Sequence, residues 1–147
     1  MGSPHAGDSQ EEAKRSIEVE DAVLQKLASA AWKVREQARI VTGVRVGSAL
    51  LTDSGDIFAG CNVEHKFRCH DIHAEVNAVG NMIASGGRVI RAIVVAAETS
   101  MFTPCGGCMD WIFEFSGGDC IVGFQGRPDG PIEVFRGREL MPKYPAL

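Results

Sequence analysis

The chain has 147 residues, 45% of them hydrophobic, and a formal net charge of −4. This length fits a single domain with a substantial core. The acidic balance lacks the electrostatic attraction that supplies most affinity for nucleic-acid polymers. No apolar run approaches the roughly 20 residues needed to span a bilayer. Composition therefore argues against a nucleic-acid polymer or a membrane as a partner.

Residues 1–17 are polar and include glycine, serine and proline, so we expect a flexible N-terminal segment followed by one domain over residues 18–147. The segment has no apolar stretch of the kind found in secretory signals. The chain also has five cysteines, and an odd number without a secretory signal favours reduced thiols over a disulfide framework. These features predict a cytoplasmic protein.

Hydrophobic periodicity and turn residues predict eight elements in the order α-β-β-α-β-α-β-β. They are a helix at 18–39, strands at 44–52 and 57–63, a helix at 73–85 with Asp71 as its N-cap, a strand at 89–97, a helix from about Cys105 to Gly117, and strands at 120–125 and 132–136. Trp111 and Phe115, on the last helix, are expected in the core. Helices that follow strands indicate an α/β fold: a three-layer α/β/α sandwich with a mixed five-stranded sheet.

Two short motifs carry candidate chemistry. His73-Ala74-Glu75 opens one predicted helix, and Pro104-Cys105-Gly106-Gly107-Cys108 opens the next. One imidazole and two thiolates can supply three ligands to Zn²⁺ and leave a fourth position for water, as catalytic zinc sites do. Glu75 would lie beside that water and carry protons. A structural zinc is the alternative, and it would need a fourth ligand from Cys61, Cys69, His65 or His70.

The spacing of these motifs resembles the signature of zinc-dependent nucleobase deaminases. Residues 20–144 more broadly resemble the cytidine deaminase family. The resemblance implies His73, Cys105 and Cys108 as zinc ligands and Glu75 as the catalytic proton carrier. It implies that Asn62 and Glu64 hydrogen-bond ribose hydroxyls, that Ala74 contacts the substrate, and that the backbone carbonyl of Thr103 faces the leaving amine. The chain would then be a hydrolase of pyrimidine salvage acting on a nucleoside.

The walls of the expected pocket depart from the family pattern. Val44 stands where the family has a phenylalanine whose edge meets the base, and Phe102 is a candidate to replace that lost aromatic group. The loop from Lys66 to Asp71 is larger and more charged than usual. Arg68 in this loop could contact an acidic or carbonyl group of the substrate, although a solvated arginine is an equal alternative. We therefore expect a substrate that departs from plain cytidine.

Three functions stay open at this point. The first is zinc-dependent deamination of a free nucleoside: cytidine, deoxycytidine or a modified relative. The second is deamination of another amino-heterocycle, such as a pyrimidine antibiotic, a free base or a purine derivative. The third is a zinc-stabilised binding protein without turnover, which the presence of Glu75 disfavours. Short members of the family form tetramers, so the resemblance also implies a homotetramer.

Overall fold

The computed structural model describes residues 6–101 and 104–145. Its helices and strands follow the predicted order, with one short helix added at the end. They are α1 (Ala6–Arg35), β1 (Gly47–Thr52), β2 (Ile57–Cys61), α2 (Ala74–Ala84), β3 (Ile90–Ala96), α3 (Gly106–Ser116), β4 (Ile121–Gln125), β5 (Ile132–Arg136) and α4 (Gly137–Leu140), with one 3₁₀ turn at Arg68–His70.

The five strands form one mixed sheet in the order β2-β1-β3-β4-β5. β1 lies antiparallel to both β2 and β3, β3 and β4 are parallel, and β5 is antiparallel to β4. The predicted mixed five-stranded sheet is therefore confirmed. The parallel pair is joined by α3, since parallel neighbours need a crossover connection.

Helices cover both faces of the sheet, which gives the predicted three layers. α1 packs on one face through a cluster that includes Leu27, Ala31, Ala49 and Val94. α2 and α3 pack on the other face through a second cluster that includes Leu50, Met82 and Ile93. Successive residues on β1 and β3 thus enter opposite cores, and this explains why β3 is a nearly continuous apolar run.

Strand directions place the beginnings of α2 and α3 at one edge of the sheet. β2 and β3 are both antiparallel to the β1 strand between them, so they run in the same direction. α2 follows β2 and α3 follows β3 along the chain. Both helices therefore begin at the edge where these strands end, the usual location of sites in α/β sheets.

Helix α1 differs from its predicted bounds at both ends. It begins at Ala6 rather than at 18, because residues 6–17 are rich in the helix formers alanine, glutamate, lysine and arginine. It ends at Arg35 rather than at 39, because the amides of Gln37 and Ala38 turn back to Val34 and Arg35 in tighter bonds. Residues 1–5 lie outside the described residues, and flexibility of residues 1–17 stays a prediction.

The first strand of the hairpin begins three residues later than the predicted 44, at Gly47. Five of the backbone groups of residues 41–46 are instead bonded by two side chains. Glu64 accepts the amides of residues 41–43, while Asn62 bonds the Val44 carbonyl and the Val46 amide. Residues 41–43 therefore form a turn, and residues 44–46 are not part of the sheet.

Two local predictions were wrong. The N-cap of α2 is His73, not Asp71, whose carboxylate instead accepts the His65 amide and the Arg68 guanidinium. Trp111 is not in the core; it stacks on Phe115 at the exposed side of α3.

Cys120 is a buried thiol, and burial raises its pKa to about 12. No helix in the described part of the chain is long and apolar enough to cross a membrane.

Candidate active site

The predicted zinc ligands meet where α2 and α3 begin. His73 is the residue before α2, Cys105 is the residue before α3, and Cys108 lies in the first turn of α3. The His73 Nδ1 atom lies 3.3 Å from the Cys108 Sγ and 3.5 Å from the Cys105 Sγ. His73 and Cys105 are exposed while Cys108 is buried. The buried Cys108 thus anchors the cluster in the protein, and the exposed His73 and Cys105 leave its other side open.

The spacing of these three atoms fits a tetrahedral zinc ion. Ligand distances of about 2.0 Å for nitrogen and about 2.3 Å for sulfur place neighbouring nitrogen and sulfur ligands roughly 3.5 Å apart. All three candidate atoms lie within 4.8 Å of one another. Among the described residues, no other histidine or cysteine joins the group. The fourth-ligand alternative for a structural zinc therefore finds no support, and one position is left for a small ligand.

Glu75 is buried beside this cluster, with 3% of its surface exposed. It lies in the first turn of α2, two residues after His73, so the helix start fixes both groups together. Burial raises the pKa of the Cys108 thiol well above its usual range, and the Glu75 carboxylate adds to that effect. Glu75 is therefore close enough to act on a molecule held at the cluster.

A cleft of about 350 Å³ opens over the cluster. Its size lies at the lower end of small-molecule sites, which span about 300–1,000 Å³. Twelve described residues line it: Val46, Asn62, Glu64, Arg68, Asp71, Ile72, His73, Ala74, Glu75, Thr99, Met101 and Cys105. The described lining contains no phenylalanine, tyrosine or tryptophan. Its apolar wall is made by aliphatic side chains.

Asn62 and Glu64 line the cleft as expected, and both are buried and already hydrogen-bonded. The Asn62 amide spans the 44–46 segment: Oδ1 accepts the Val46 amide at 2.8 Å, and Nδ2 donates to the Val44 carbonyl at 2.9 Å. Val63, the residue after Asn62, forms two backbone hydrogen bonds with Ile72. These bonds connect the chain around Asn62 to the residue before His73. Asn62 keeps one amide hydrogen for a ligand.

The Glu64 carboxylate is saturated by its own chain. Oε1 accepts the amides of Val41, Thr42 and Gly43 at 2.7, 2.9 and 3.0 Å. Oε2 lies 3.1 Å from the Arg68 Nη2. The Thr42 amide, followed by those of Gly43 and Val41, lowers the pKa of Glu64 below its ordinary value of 4.5. Glu64 is therefore an anion at neutral pH.

Arg68 connects three parts of the cleft wall. Its Nε donates to Asp71 Oδ2 at 2.6 Å, one terminal nitrogen pairs with Glu64, and the other donates to the Thr42 hydroxyl. The His65 amide, and to a lesser extent the Arg68 guanidinium, lowers the pKa of Asp71. Sequence reasoning left Arg68 open between substrate contact and solvation, and the structure shows it bonded at the cleft.

Some predicted substrate contacts are placed elsewhere. Val44 is exposed and does not line the cleft, whereas Val46 does. Ala74 is buried and lines the cleft. Phe102 and Thr103 lie outside the described residues. Sequence reasoning missed Ile72, Thr99 and Met101; adjacency to His73 could have indicated Ile72.

Comparisons with known proteins agree with this geometry. Residues 21–124 match the family model described as the cytidine and deoxycytidylate deaminase zinc-binding region. The chain is 36% identical to a cytidine deaminase of Sporosarcina psychrophila over 67% of this chain and 74% of that protein. It is 32% identical to a cytidine deaminase of Halalkalibacterium halodurans over 80% of this chain and 90% of that one.

Solved structures show the same likeness. The crystal structure of cytidine deaminase from Burkholderia pseudomallei superposes with a TM-score of 0.74 at 31% identity, over 81% of this chain and 96% of that one. The cytidine deaminase from Mycobacterium tuberculosis gives a TM-score of 0.71 at 26% identity, over 84% of this chain and 97% of that one. Sequence and fold thus converge on one group of proteins.

Proposed function

This chain belongs to the cytidine and deoxycytidylate deaminase family, and on that premise we propose that it hydrolytically deaminates a free cytosine nucleoside, cytidine or deoxycytidine, and releases ammonia. The chain is an aminohydrolase of the cytidine deaminase type, with a zinc-binding region. The observation that carries the proposal is a buried carboxylate, Glu75, next to three convergent metal ligands at the floor of a cleft.

We assign the zinc to His73, Cys105 and Cys108. Zinc bound by these residues would supply Lewis-acid chemistry, which brings the pKa of a water molecule down towards neutrality. Two thiolates cancel the charge of the ion, so the bound centre adds no net charge to the cleft.

Glu75 moves the protons. Its carboxylate takes a proton from the attacking water and delivers it to the ring nitrogen beside the amine-bearing carbon. It then takes the second proton of that water from the new hydroxyl group on the ring carbon and passes it to the departing amine, which leaves as ammonia while the ring carbon keeps the oxygen. Burial on the first turn of α2 holds the carboxylate in one place during both transfers. The balanced reaction consumes one water and yields the uracil nucleoside.

The charges of the cleft favour a nucleoside over a nucleotide. Three carboxylates line the described cleft, on Glu64, Asp71 and Glu75, against a single cation, Arg68. That cation is already paired with two of the carboxylates. A phosphate group would enter a field that is negative overall, whereas neutral hydroxyls would not. This supports a free nucleoside as the substrate.

A second candidate is deamination of a different or more heavily substituted amino-heterocycle. It is favoured by the described walls of the cleft, where aliphatic Val46, Ile72 and Met101 take the place of an aromatic wall. An aliphatic wall lacks the ring stacking that is worth about 0.5–1.5 kcal/mol beyond area burial, so this described part of the cleft selects less strongly for a plain cytosine ring. The cytosine nucleoside stays the first proposal because the comparisons favour it.

Assembly and location complete the proposal. Large apolar side chains are exposed near the cleft, among them Val44, Ile72, Met101 and Trp111. Apolar groups gathered around a site mark an interaction surface, and we propose further copies of this chain as the partner, in a homotetramer. Light scattering on the purified protein measures the assembly.

All five cysteines are free thiols, which supports the cytoplasm as the compartment.

The experiment that tests the reaction is ammonia release from a panel of amines by wild type and Glu75→Gln. The panel is cytidine, deoxycytidine, cytosine, CMP and amino-purine nucleosides. We expect the cytosine nucleosides to be the best substrates. Glu75→Gln should keep its zinc and its fold but lose activity by about 10²–10⁴-fold, the usual contribution of general acid–base catalysis.

Two outcomes of this experiment would contradict the proposal. A preference for CMP, free cytosine or a purine nucleoside would replace the proposed substrate. More than a tenth of wild-type turnover in zinc-loaded Glu75→Gln would remove Glu75 from the proton transfers.

A further inference from the structure

Side chains of α2 are bonded to the edge strand of the sheet. β2 lies at one end of the strand order, so only one side of its backbone pairs with another strand. On the other side, Asn77 Oδ1 accepts the Cys61 amide at 3.0 Å, and Asn81 Nδ2 donates to the Ala59 carbonyl at 2.8 Å. Two asparagine side chains thus bond backbone groups that a neighbouring strand would otherwise bond.

These two bonds lie on either side of the closest approach between α2 and β2. Asn77 and Asn81 are one helical turn apart on α2, and Gly60 lies between their two partners on β2. A side-chain carbon added at Gly60 would lie 2.7 Å from the Asn77 carbonyl carbon. The helix therefore rests directly on the strand backbone. We call this pair of bonds, from Asn77 to Cys61 and from Asn81 to Ala59, the asparagine clasp.

The Asn77 end of the clasp is next to the proposed chemistry. The Asn77 amide donates to the carbonyl of His73, the N-cap residue of α2, at 3.0 Å. Glu75 lies between these two residues in the first turn of the helix. Asn81 lies in the following turn. A displacement at Asn77 therefore acts directly on His73 and Glu75, whereas a displacement at Asn81 has to pass through a full turn of helix.

The strand is a suitable reference for this position. β2 pairs with β1 along its whole length, and β1 pairs with β3, the strand that precedes α3. A bond from α2 to β2 thus fixes the start of α2 against the same sheet that leads to Cys105 and Cys108. The clasp therefore sets the position of Glu75 relative to the two cysteines.

We propose that Asn77 is a positioning residue for the deamination: its side-chain oxygen holds the Cys61 amide and so fixes Glu75 against the metal ligands. The inference rests on the proposed function. Proton transfer needs the donor and acceptor atoms within hydrogen-bond reach. A misplacement of about 1 Å can cost about 10²-fold in rate.

The same substitution separates the two asparagines. Asn77 uses its oxygen in the clasp, and Asn81 uses its amide nitrogen. An ionised aspartate keeps an acceptor but has no donor. Asn77→Asp should therefore keep the bond to Cys61, and its charge is favourable near a helix N-terminus. Asn81→Asp should lose the bond to Ala59.

The test is kcat and KM for cytidine on zinc-loaded wild type, Asn77→Ala, Asn77→Asp and Asn81→Ala. We expect Asn77→Ala to lower kcat about tenfold or more. KM should change much less, because Asn77 does not line the cleft. Asn77→Asp should restore most of kcat. Both alanine variants should fold, since alanine is a better helix former than asparagine.

Asn81→Ala is the matched control, because it removes the other bond of the clasp and should keep nearly all of kcat. Equal loss of kcat in the two alanine variants, or no loss in either, would overturn the inference. Asn77→Asp no more active than Asn77→Ala would also overturn it, because the acceptor would then be irrelevant. Absence of ammonia release by the wild type from every cytosine nucleoside would overturn the proposed function and this inference with it.

Discussion

The three proposed metal ligands differ in how firmly the protein holds them. Cys108 is buried in the first turn of α3, whereas His73 and Cys105 are exposed residues that precede their helices. Burial keeps the Cys108 thiol protonated without a metal because it raises the pKa of that thiol. Zinc has to replace that proton, so metal and folded site are coupled.

Zinc content should follow these three residues. We expect about one zinc per chain in the wild type, as a three-ligand catalytic site requires, and little in Cys105→Ala or Cys108→Ala. Both variants should also melt at lower temperature. Cys69→Ala is the control, because Cys69 is an exposed thiol in the 3₁₀ turn outside the cluster, and it should keep its zinc. Metal analysis and thermal melting measure both effects, and a fully loaded Cys108→Ala protein would contradict the assignment.

Residue types were easier to predict than residue partners. The sequence indicated His73, Glu75 and the two cysteines, because metal chemistry needs those types and the motif fixes their spacing. It did not reveal that Glu64 gathers three backbone amides or that Arg68 closes over it. Such contacts depend on the conformation of an irregular turn, and hydrophobic periodicity carries no information about that conformation.

At the scale of elements, β2 and α2 touch through backbone. A side-chain carbon added at Gly60 on β2 would lie 2.3 Å from the Ala78 amide nitrogen and 2.8 Å from the Ala74 carbonyl oxygen. Ala74 lies between Glu75 and the proposed zinc ligand His73. Any displacement of α2 from β2 therefore moves the start of the helix that holds both groups.

Gly60→Ala should consequently impair both stability and catalysis. Overpacking of this kind typically costs about 1–3 kcal/mol, and a shift of α2 should lower kcat as well. Gly80→Ala is the matched control on α2, where an added carbon meets no atom within 4 Å. It should be neutral or stabilise by up to about 1 kcal/mol, because alanine is the better helix former. Chemical denaturation and ammonia release measure the pair. Equal behaviour of the two variants would show that the close approach at Gly60 has no consequence.

The types of the elements could be predicted because the hydrophobic pattern of each element matches the number of its faces that are buried. β3 is apolar apart from Arg91 because both of its faces are covered, and α2 shows one apolar face towards the sheet. Bounds were less predictable wherever a side chain captures backbone. Residues 44–46 look like strand in sequence, yet Asn62 takes the backbone groups that a neighbouring strand would use.

At the scale of the whole molecule, the turn at residues 41–43, the 62–64 segment and the 68–71 loop are held together by Glu64 and Arg68. The turn at residues 41–43 and the 68–71 loop lie more than twenty residues apart along the chain. The amides that bind Glu64 lower its pKa, so the charged carboxylate stabilises the folded chain more than the protonated one. Asp71 has a lowered pKa for a similar reason. Acid should therefore loosen this region.

The expected effect of pH has a definite sign. Because the pKa of Glu64 is lower in the folded chain, its contribution is complete above the ordinary value of 4.5 and is lost as the pH falls from there through the lowered pKa. Glu64→Gln should therefore melt below wild type at neutral pH, and the gap should close as the pH drops below 4.5. Any loss of metal in acid would affect both proteins alike, so the difference between their melting temperatures isolates Glu64. Glu133→Gln, at an exposed position on β5, should show no such convergence with wild type. A gap between wild type and Glu64→Gln that stays constant from pH 7 to well below 4.5 would mean that the charge on Glu64 does not hold these segments together.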